Sequence, residues 1–260
     1  MQIESSANPY YKYLKSLSRK SVRDKEGVFL AEGERFLSEL PPDWETECLV
    51  FSAAYAEKGL ERWAGRAPKT VVLGKGLFES LSDTQTPQGV LAVCRQRTYR
   101  LEDVLSVPDG LFLLAENLQD PGNLGTIIRT ADAAGASAVL LSRGSVDLYN
   151  PKVLRSTMGS CFHIPVLQNL ELYDMIEACR GRSIPVYAAD LAGESPYATN
   201  LRHSVAILIG NEAAGLSEQA RAWADGRLTL PMPGRAESLN AAVAASVLLY
   251  EALRQRITKE

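Results

Sequence analysis

Five polar side chains stand where apolar, strand-like runs give way to turns and helices: Asn123, Arg129, Glu212, Ser238 and Asn240. Their types describe a definite chemistry. The Arg129 guanidinium, among small neighbours, has room to reach a ligand, Glu212 is an acid placed just past a buried strand, and the Asn and Ser side chains offer donors and acceptors at turns and helix starts. Residues 206–246 concentrate the signal, as AILIGNEAAGLSE followed by RLTLPMPGRAESLNAAVAAS. One strand ends on Gly210, Asn211 and Glu212, and a second ends on Pro231. Open α/β sheets bind ligands just beyond such strand ends.

Each residue also has a purely structural reading. Arg129 could pair with Asp132 on a solvated helix face, and Asn123 could cap the helix that follows Asp120-Pro121-Gly122. Glu212 could serve a helix N-terminus. Ser238 is placed to cap the last helix, with Asn240 in its first turn. Glycines follow a strand here, yet neither G-x-G-x-x-G nor G-x-x-x-x-G-K-[ST] occurs, so the dinucleotide and P-loop fingerprints fail.

The elements that must position these residues alternate strand and helix. Apolar strand runs are expected at 111–115, 137–142, 162–166, 184–189, 205–210 and 227–231, with helices at 124–134, 151–158, 172–180, 218–224 and 239–255. Runs apolar throughout predict a mostly parallel sheet covered on both faces. The stretch 241–250 is apolar around nearly its whole circumference, so the final helix should be enclosed by the sheet, a partner subunit, or both. Ahead of this lies a smaller α/β unit: a basic helix, then strands at 28–33, 48–52, 70–74 and 89–94 with helices between them. The charged stretch 97–109 reads as a linker, giving domains at 1–96 and 110–260.

The composition of the 260 residues is that of a folded globular protein, with 46% apolar and 23% charged residues and a net charge of −3. That balance weighs against a protein that coats nucleic acid. Charge is nonetheless concentrated near the start. Lys12, Lys15, Arg19, Lys20, Arg23 and Lys25 face a single acid, Asp24, and are interleaved with Tyr10, Tyr11 and Tyr13. Cations for phosphates and rings for bases make an RNA surface; the same spacing also fits an amphipathic helix with Leu14 and Leu17 inward. Cys48, Cys94, Cys161 and Cys179 are far apart, and with only His163 and His203 they indicate neither a metal site nor a disulfide framework. No signal-peptide stretch opens the chain and no run spans a bilayer, so a cytoplasmic protein with no membrane partner is expected.

Taken together, NLQDPGNLGTIIRTADAAG, IGNEAAGLS and LPMPGRAESLNAAVAAS resemble, in order and spacing, the three motifs of the SpoU (TrmH-like) RNA ribose 2′-O-methyltransferases of the SPOUT superfamily. The run from Asn8 to Leu37, with TPQGVLAVC, is similar to the L30e-like substrate-binding domain found in many members. The resemblance implies a small L30e-like α/β domain followed by a SPOUT sheet ending in a trefoil knot, and a homodimer. It implies S-adenosylmethionine as cofactor, held near Ala189, Ile209, Gly210, Leu230, Met232 and Leu239. Asn123, Arg129, Glu212, Ser238 and Asn240 become the catalytic set, and Lys12, Lys15, Arg19, Lys20 and Arg23 the RNA-binding set. The implied reaction is 2′-O-methylation of structured RNA, with 23S rRNA preferred. The alternatives are a tRNA 2′-O-methyltransferase and a non-catalytic dimeric RNA-binding protein.

Overall fold

A computed structural model describes residues 1–258. The chain forms two compact units. The first is Met1–Arg97 joined by Tyr149–Phe162, and the second is Thr98–Leu148 with the chain from His163 onward.

In the first unit, β1 (Gln2–Ile3), α1 (Pro9–Ser16), α2 (Lys20–Glu26), β2 (Val28–Glu32), α3 (Glu34–Ser38), β3 (Thr46–Ser52), α4 (Ala53–Gly59), β4 (Thr70–Leu73), α5 (Lys75–Leu81) and β5 (Val90–Arg95) follow one another. The five strands form a mixed sheet in the order β1-β4-β3-β5-β2. Asn8 starts α1 by accepting the N–H groups of Tyr10 and Tyr11, with Pro9 preset for the first turn. That turns Tyr11, Leu14 and Leu17 into a core shared with Val50, Val71 and Phe78.

The second unit runs α6 (Leu101–Val104), β6 (Leu111–Ala115), α7 (Pro121–Ala133) and β7 (Ala138–Ser142). The chain then visits the first unit as α8 (Pro151–Thr157) before returning as β8 (Val166–Leu170), α9 (Leu172–Arg180), β9 (Val186–Glu194), β10 (Val205–Ile209), α10 (Glu218–Trp223), β11 (Gly226–Leu228) and α11 (Ala241–Ile257). Its six strands are all parallel, in the order β11-β9-β10-β6-β7-β8. β6, β7 and β10 are buried throughout because both sheet faces are covered. Phe112, Leu114, Ala206 and Leu208 share one core with Met175, Ile176 and Cys179 of α9, while α7 and α11 pack on strands of the same sheet.

Three expectations need correcting here. The single boundary near 97–109 misses that Tyr149–Phe162 belongs to the first unit. The strand expected at 162–166 begins only at Val166, because Phe162 is used elsewhere: it lies 4.8 Å from the ring of Phe36 and 5.0 Å from that of Trp44. The last helix starts at Ala241, capped by Asn240, which accepts the N–H groups of Ala242 and Val243; Ser238 lies outside it. All four cysteines are buried free thiols. Among the described residues no helix is long and apolar enough to cross a membrane.

Candidate active site

The second unit's site begins with the turn after β10. A Cβ on Gly210 would lie 2.3 Å from the carbonyl carbon of Gly215, so only glycine permits this approach. Asn211 and Gly215 then exchange backbone hydrogen bonds of 3.0 and 2.9 Å, and Gly215 sits at φ +67°. Asn211 Oδ1 accepts the N–H groups of Ala213 and Ala214, and its Nδ2 donates to the Asn117 carbonyl at 2.8 Å. The turn is thereby fastened to the loop after β6.

Glu212 extends the same connection. Its carboxylate accepts the backbone N–H groups of Gln119 at 3.1 Å and Asp120 at 2.9 Å, and Nδ2 of Asn123 at 3.0 Å. Burial pushes this carboxyl up, but the bonds from Asn123, Gln119 and Asp120 together outweigh it and hold it below the ordinary glutamate range. Asn123 is not the helix cap. Asp120 is, accepting the Asn123 N–H at 2.8 Å, with Pro121 in the first turn of α7. The Asn123 side chain is therefore left to bridge, donating to Glu212 and accepting from Asn240 Nδ2 at 2.9 Å. One chain of side chains joins three loops from distant parts of the sequence.

Beside this network lies a cavity of about 290 Å³. Ala189, Ile209, Gly210, Leu230, Met232 and Leu239 all line it, as do Glu212 and Ser238. Asp190 and Arg221 also line it and form an ion pair at 2.7 Å. Sequence reasoning missed both. Asp190 directly follows the strand expected at 184–189 and could have been found by position, although β9 in fact continues through it, whereas Arg221 reads as one more surface cation of α10. Walls of aliphatic side chains and backbone, with a few polar groups, suit a flat apolar ligand bearing charge at one end.

Arg129 stands apart from the network. It lies six positions after Asn123 on α7, so its side chain emerges about 120° around the helix axis. It is exposed and has no hydrogen-bond or ion-pair partner among the described residues. Asp132 does not pair with it but meets Nδ1 of His163 at 3.2 Å. Next to α7, α11 packs through Ser246, whose Oγ donates to the Thr130 hydroxyl at 3.2 Å, and exposes Val243, Val247 and Tyr250. The enclosure expected for α11 is thus incomplete within one chain.

In the first unit, Lys12 and Arg19 are exposed, Lys15 donates to Ser80 Oγ at 2.8 Å, and Lys20 pairs with Asp24 at 2.7 Å. Arg23 must be removed from the surface set. It is 4% exposed, and its guanidinium donates to the carbonyls of Leu17 at 2.9 Å and Ser18 at 2.8 Å, tying α2 to the end of α1.

Residues 110–250 match the model of the SpoU rRNA Methylase family, and residues 8–92 match that of the MRM3-like substrate binding domain. The chain is 39% identical over 253 residues to the 23S rRNA (guanosine(2553)-2′-O)-methyltransferase RlmP of Bacillus subtilis, covering 96% of this chain and 98% of that protein. It superposes on an AdoMet-bound rRNA methyltransferase from Sinorhizobium meliloti with a TM-score of 0.89 and 32% identity, over 99% of both chains. The SpoU methyltransferase AviRb from Streptomyces viridochromogenes in complex with AdoMet gives a TM-score of 0.86 and 31% identity, over 97% of this chain and 100% of that one.

Proposed function

The chain belongs to the SpoU rRNA methylase family, and from that premise we propose that it transfers a methyl group from S-adenosylmethionine to one ribose 2′-hydroxyl of 23S-type rRNA. The observation that carries the reading is the conjunction of the cavity with the Glu212–Asn123–Asn240 network beside it. S-adenosylmethionine fits this cavity by chemistry. Its volume is close to the lower end of the roughly 300–1,000 Å³ usual for small-molecule sites, and Leu228, Leu230, Met232 and Leu248 offer an apolar bed for an adenine ring. When bound, the cofactor supplies a sulfonium methyl for in-line displacement by the ribose oxygen.

The chain's own residues do the rest. Ala189, Ile209, Gly210, Leu230, Met232 and Leu239 hold the cofactor. Glu212 braces the loops by accepting two backbone N–H groups. Asn123, Asn240 and Ser238 hold the ribose and the loop before α11. Rigid placement of this kind supplies much of the rate of a displacement reaction. Arg129, whose donors have no partner among the described residues, clamps the phosphate beside the target ribose and stabilises the forming alkoxide; as an always-charged group it is no general base, and the proton leaves to phosphate or water.

Three finer features belong to the same reading. The first unit is an L30e-like RNA-binding domain, in which Lys12, Lys15, Arg19 and Lys20 meet phosphates. The C-terminal segment is knotted in this reading, which is supported by the hold on the end of α11: Gln255 Nε2 donates to the carbonyls of Pro196 and Thr199, and Arg256 to those of Leu201 and His203, in the connection between β9 and β10. The active form is a cytoplasmic homodimer that covers Val243, Val247 and Tyr250, giving α11 the enclosure it lacks alone.

The test is a map of 2′-O-methyl groups in rRNA and tRNA from cells with and without the protein. One 23S-type rRNA ribose should lose its methyl group. Loss at a tRNA position alone would replace the substrate, and unchanged maps would remove the activity.

A further inference from the structure

The first unit contains a second cavity, of about 210 Å³, lined by none of the residues of the reaction site. Its walls include Leu17, Leu30, Leu91, Phe36, Leu154 and Tyr149. Tyr149 is firmly set, its ring stacked on Phe29 at 4.5 Å. α8 closes one side by packing on β2, which accounts for the return of this segment to the first unit.

The charged groups at this cavity are unequally committed. Three cations, Lys15, Arg23 and Arg155, line it against two carboxylates, Glu32 and Asp83. Asp83 pairs with Arg155 at 2.5 Å. Glu32 Oε1 accepts from the hydroxyls of Ser82 and Thr84, and Oε2 accepts the N–H of Asp83 at 3.0 Å. A carboxylate has about four lone-pair sites, so one remains for a further donor. Among the described residues the Lys15 ammonium has only the neutral Ser80 hydroxyl as hydrogen-bond partner. The balance calls for a ligand with a flat apolar body, an N–H edge for Glu32, and an anion for Lys15 and Arg155.

We propose that this cavity receives one unstacked, amino-bearing base of the RNA substrate, with the adjoining phosphate against Lys15 and Arg155. The proposal rests on the RNA reading above and deepens it, because it makes the first unit a reader of an unpaired nucleotide as well as a cationic surface. A volume below that of usual small-molecule sites admits one base and little more. Proteins recognise RNA sequence chiefly through splayed-out bases held between side chains and bonded at their edges. Lys15 joins the cavity to the surface formed by Lys12, Arg19 and Lys20, so a strand lying there has its phosphates and one base accommodated together.

The test uses the full chain and single-stranded oligocytidylate, oligouridylate and a fully paired RNA duplex, each of about twelve nucleotides. Oligocytidylate, whose bases carry an amino group, should bind several-fold more tightly than oligouridylate. Ser80→Trp, which fills the mouth without changing charge, and Arg155→Ala should weaken oligocytidylate binding roughly tenfold, the scale of stacking one base, and leave duplex binding unchanged. Cofactor affinity by calorimetry and the thermal midpoint report whether each variant is folded. Photo-crosslinking of 5-iodocytidine-substituted oligomer to the unaltered protein gives an independent readout, expected at residues 80–83 or 149–155. Equal oligocytidylate affinity in a folded Ser80→Trp variant, or crosslinks confined to the second unit, would overturn the base pocket and leave the RNA reading standing. Binding of no RNA by the unaltered protein would overturn both.

Discussion

The two units spend their polar side chains differently. In the second, the key bonds span most of the unit: Glu212 and Asn123 are 89 positions apart, and Asn240 and Asn123 are 117 apart. In the first, most of the helical cations bond locally or point into solvent. Lys20 meets Asp24 four positions on, and Arg23 reaches back six positions to Leu17. Long-range bonds fix three loops to within a hydrogen bond of one another, which a displacement reaction requires. Surface cations on separate arms impose little geometry, and phosphate attraction needs little. The contrast separates a pre-organised reaction site from an adaptable electrostatic surface.

The most severe way to break this division is Arg129→Ala. Turnover on RNA should fall at least about 10²–10³-fold, the scale of removing one transition-state stabiliser, while cofactor affinity stays within a few fold because Arg129 does not line the cavity. Equal loss of cofactor binding would refute the clamp. Next in size is simultaneous replacement of Lys12, Lys15, Arg19 and Lys20 by Gln. Every phosphate that goes without its cation should flatten the dependence of log affinity on log salt by about 0.7–0.9, and cofactor binding should not move. An unchanged salt slope would retire the patch.

Arg23→Met sharpens the comparison within one helix pair. If Arg23 is structural, the variant is destabilised by about 1–3 kcal/mol, because the buried carbonyl of Leu17 and the partly buried one of Ser18 are left without their donor, and RNA affinity measured in the folded protein changes less than twofold. Urea unfolding and RNA titration on the same sample decide it. Weaker RNA binding at unchanged stability would return Arg23 to the binding surface.

Arg23 also shows how far a sequence can be read. Strand-and-helix alternation and unbroken apolar runs make the parallel sheet legible from 111–115 and 205–210, because covered faces leave a pattern in every residue. Among the cavity-lining residues, Ile209 and Gly210 are legible for a related reason, a strand end closed by a glycine that permits close backbone approach, whereas Ala189 lies inside β9 and Leu230, Met232 and Leu239 lie in the loop between β11 and α11, and only the motif resemblance points to them. Arg23 escapes such reading because one cation in six, at the same helical spacing as the others, happens to lie over the carbonyls ending the previous helix. Likewise, Ser238 and Asn240 are both able to cap, and only the path of the chain chooses Asn240. The return of α8 leaves no local trace, since Tyr149 and Phe162 look like ordinary core residues whose partners, Phe29 and Phe36, are more than a hundred positions away.

The smallest effect concerns what holds the long-range network together. The Glu212 carboxyl lies below its ordinary range in the folded protein, because the hydrogen bonds from Asn123, Gln119 and Asp120 together outweigh burial, the largest single influence and one that acts upward. A depressed pKa means that the ionised form favours folding above the unfolded value of about 4.3, and that this contribution disappears as pH falls through the folded value. The site is open to solvent, so the contribution is discounted to about 1 kcal/mol. Glu212→Gln preserves shape and acceptor capacity on one oxygen but removes the charge. Its unfolding free energy should therefore be about 1 kcal/mol below that of the unaltered protein at pH 7, with the gap narrowing as pH drops below about 4. Denaturant unfolding at both pH values measures this difference. A gap of the same size at both would mean that hydrogen-bond geometry, and not charge, braces the three loops. The contrast between a fixed site and an adaptable surface would then rest on shape alone.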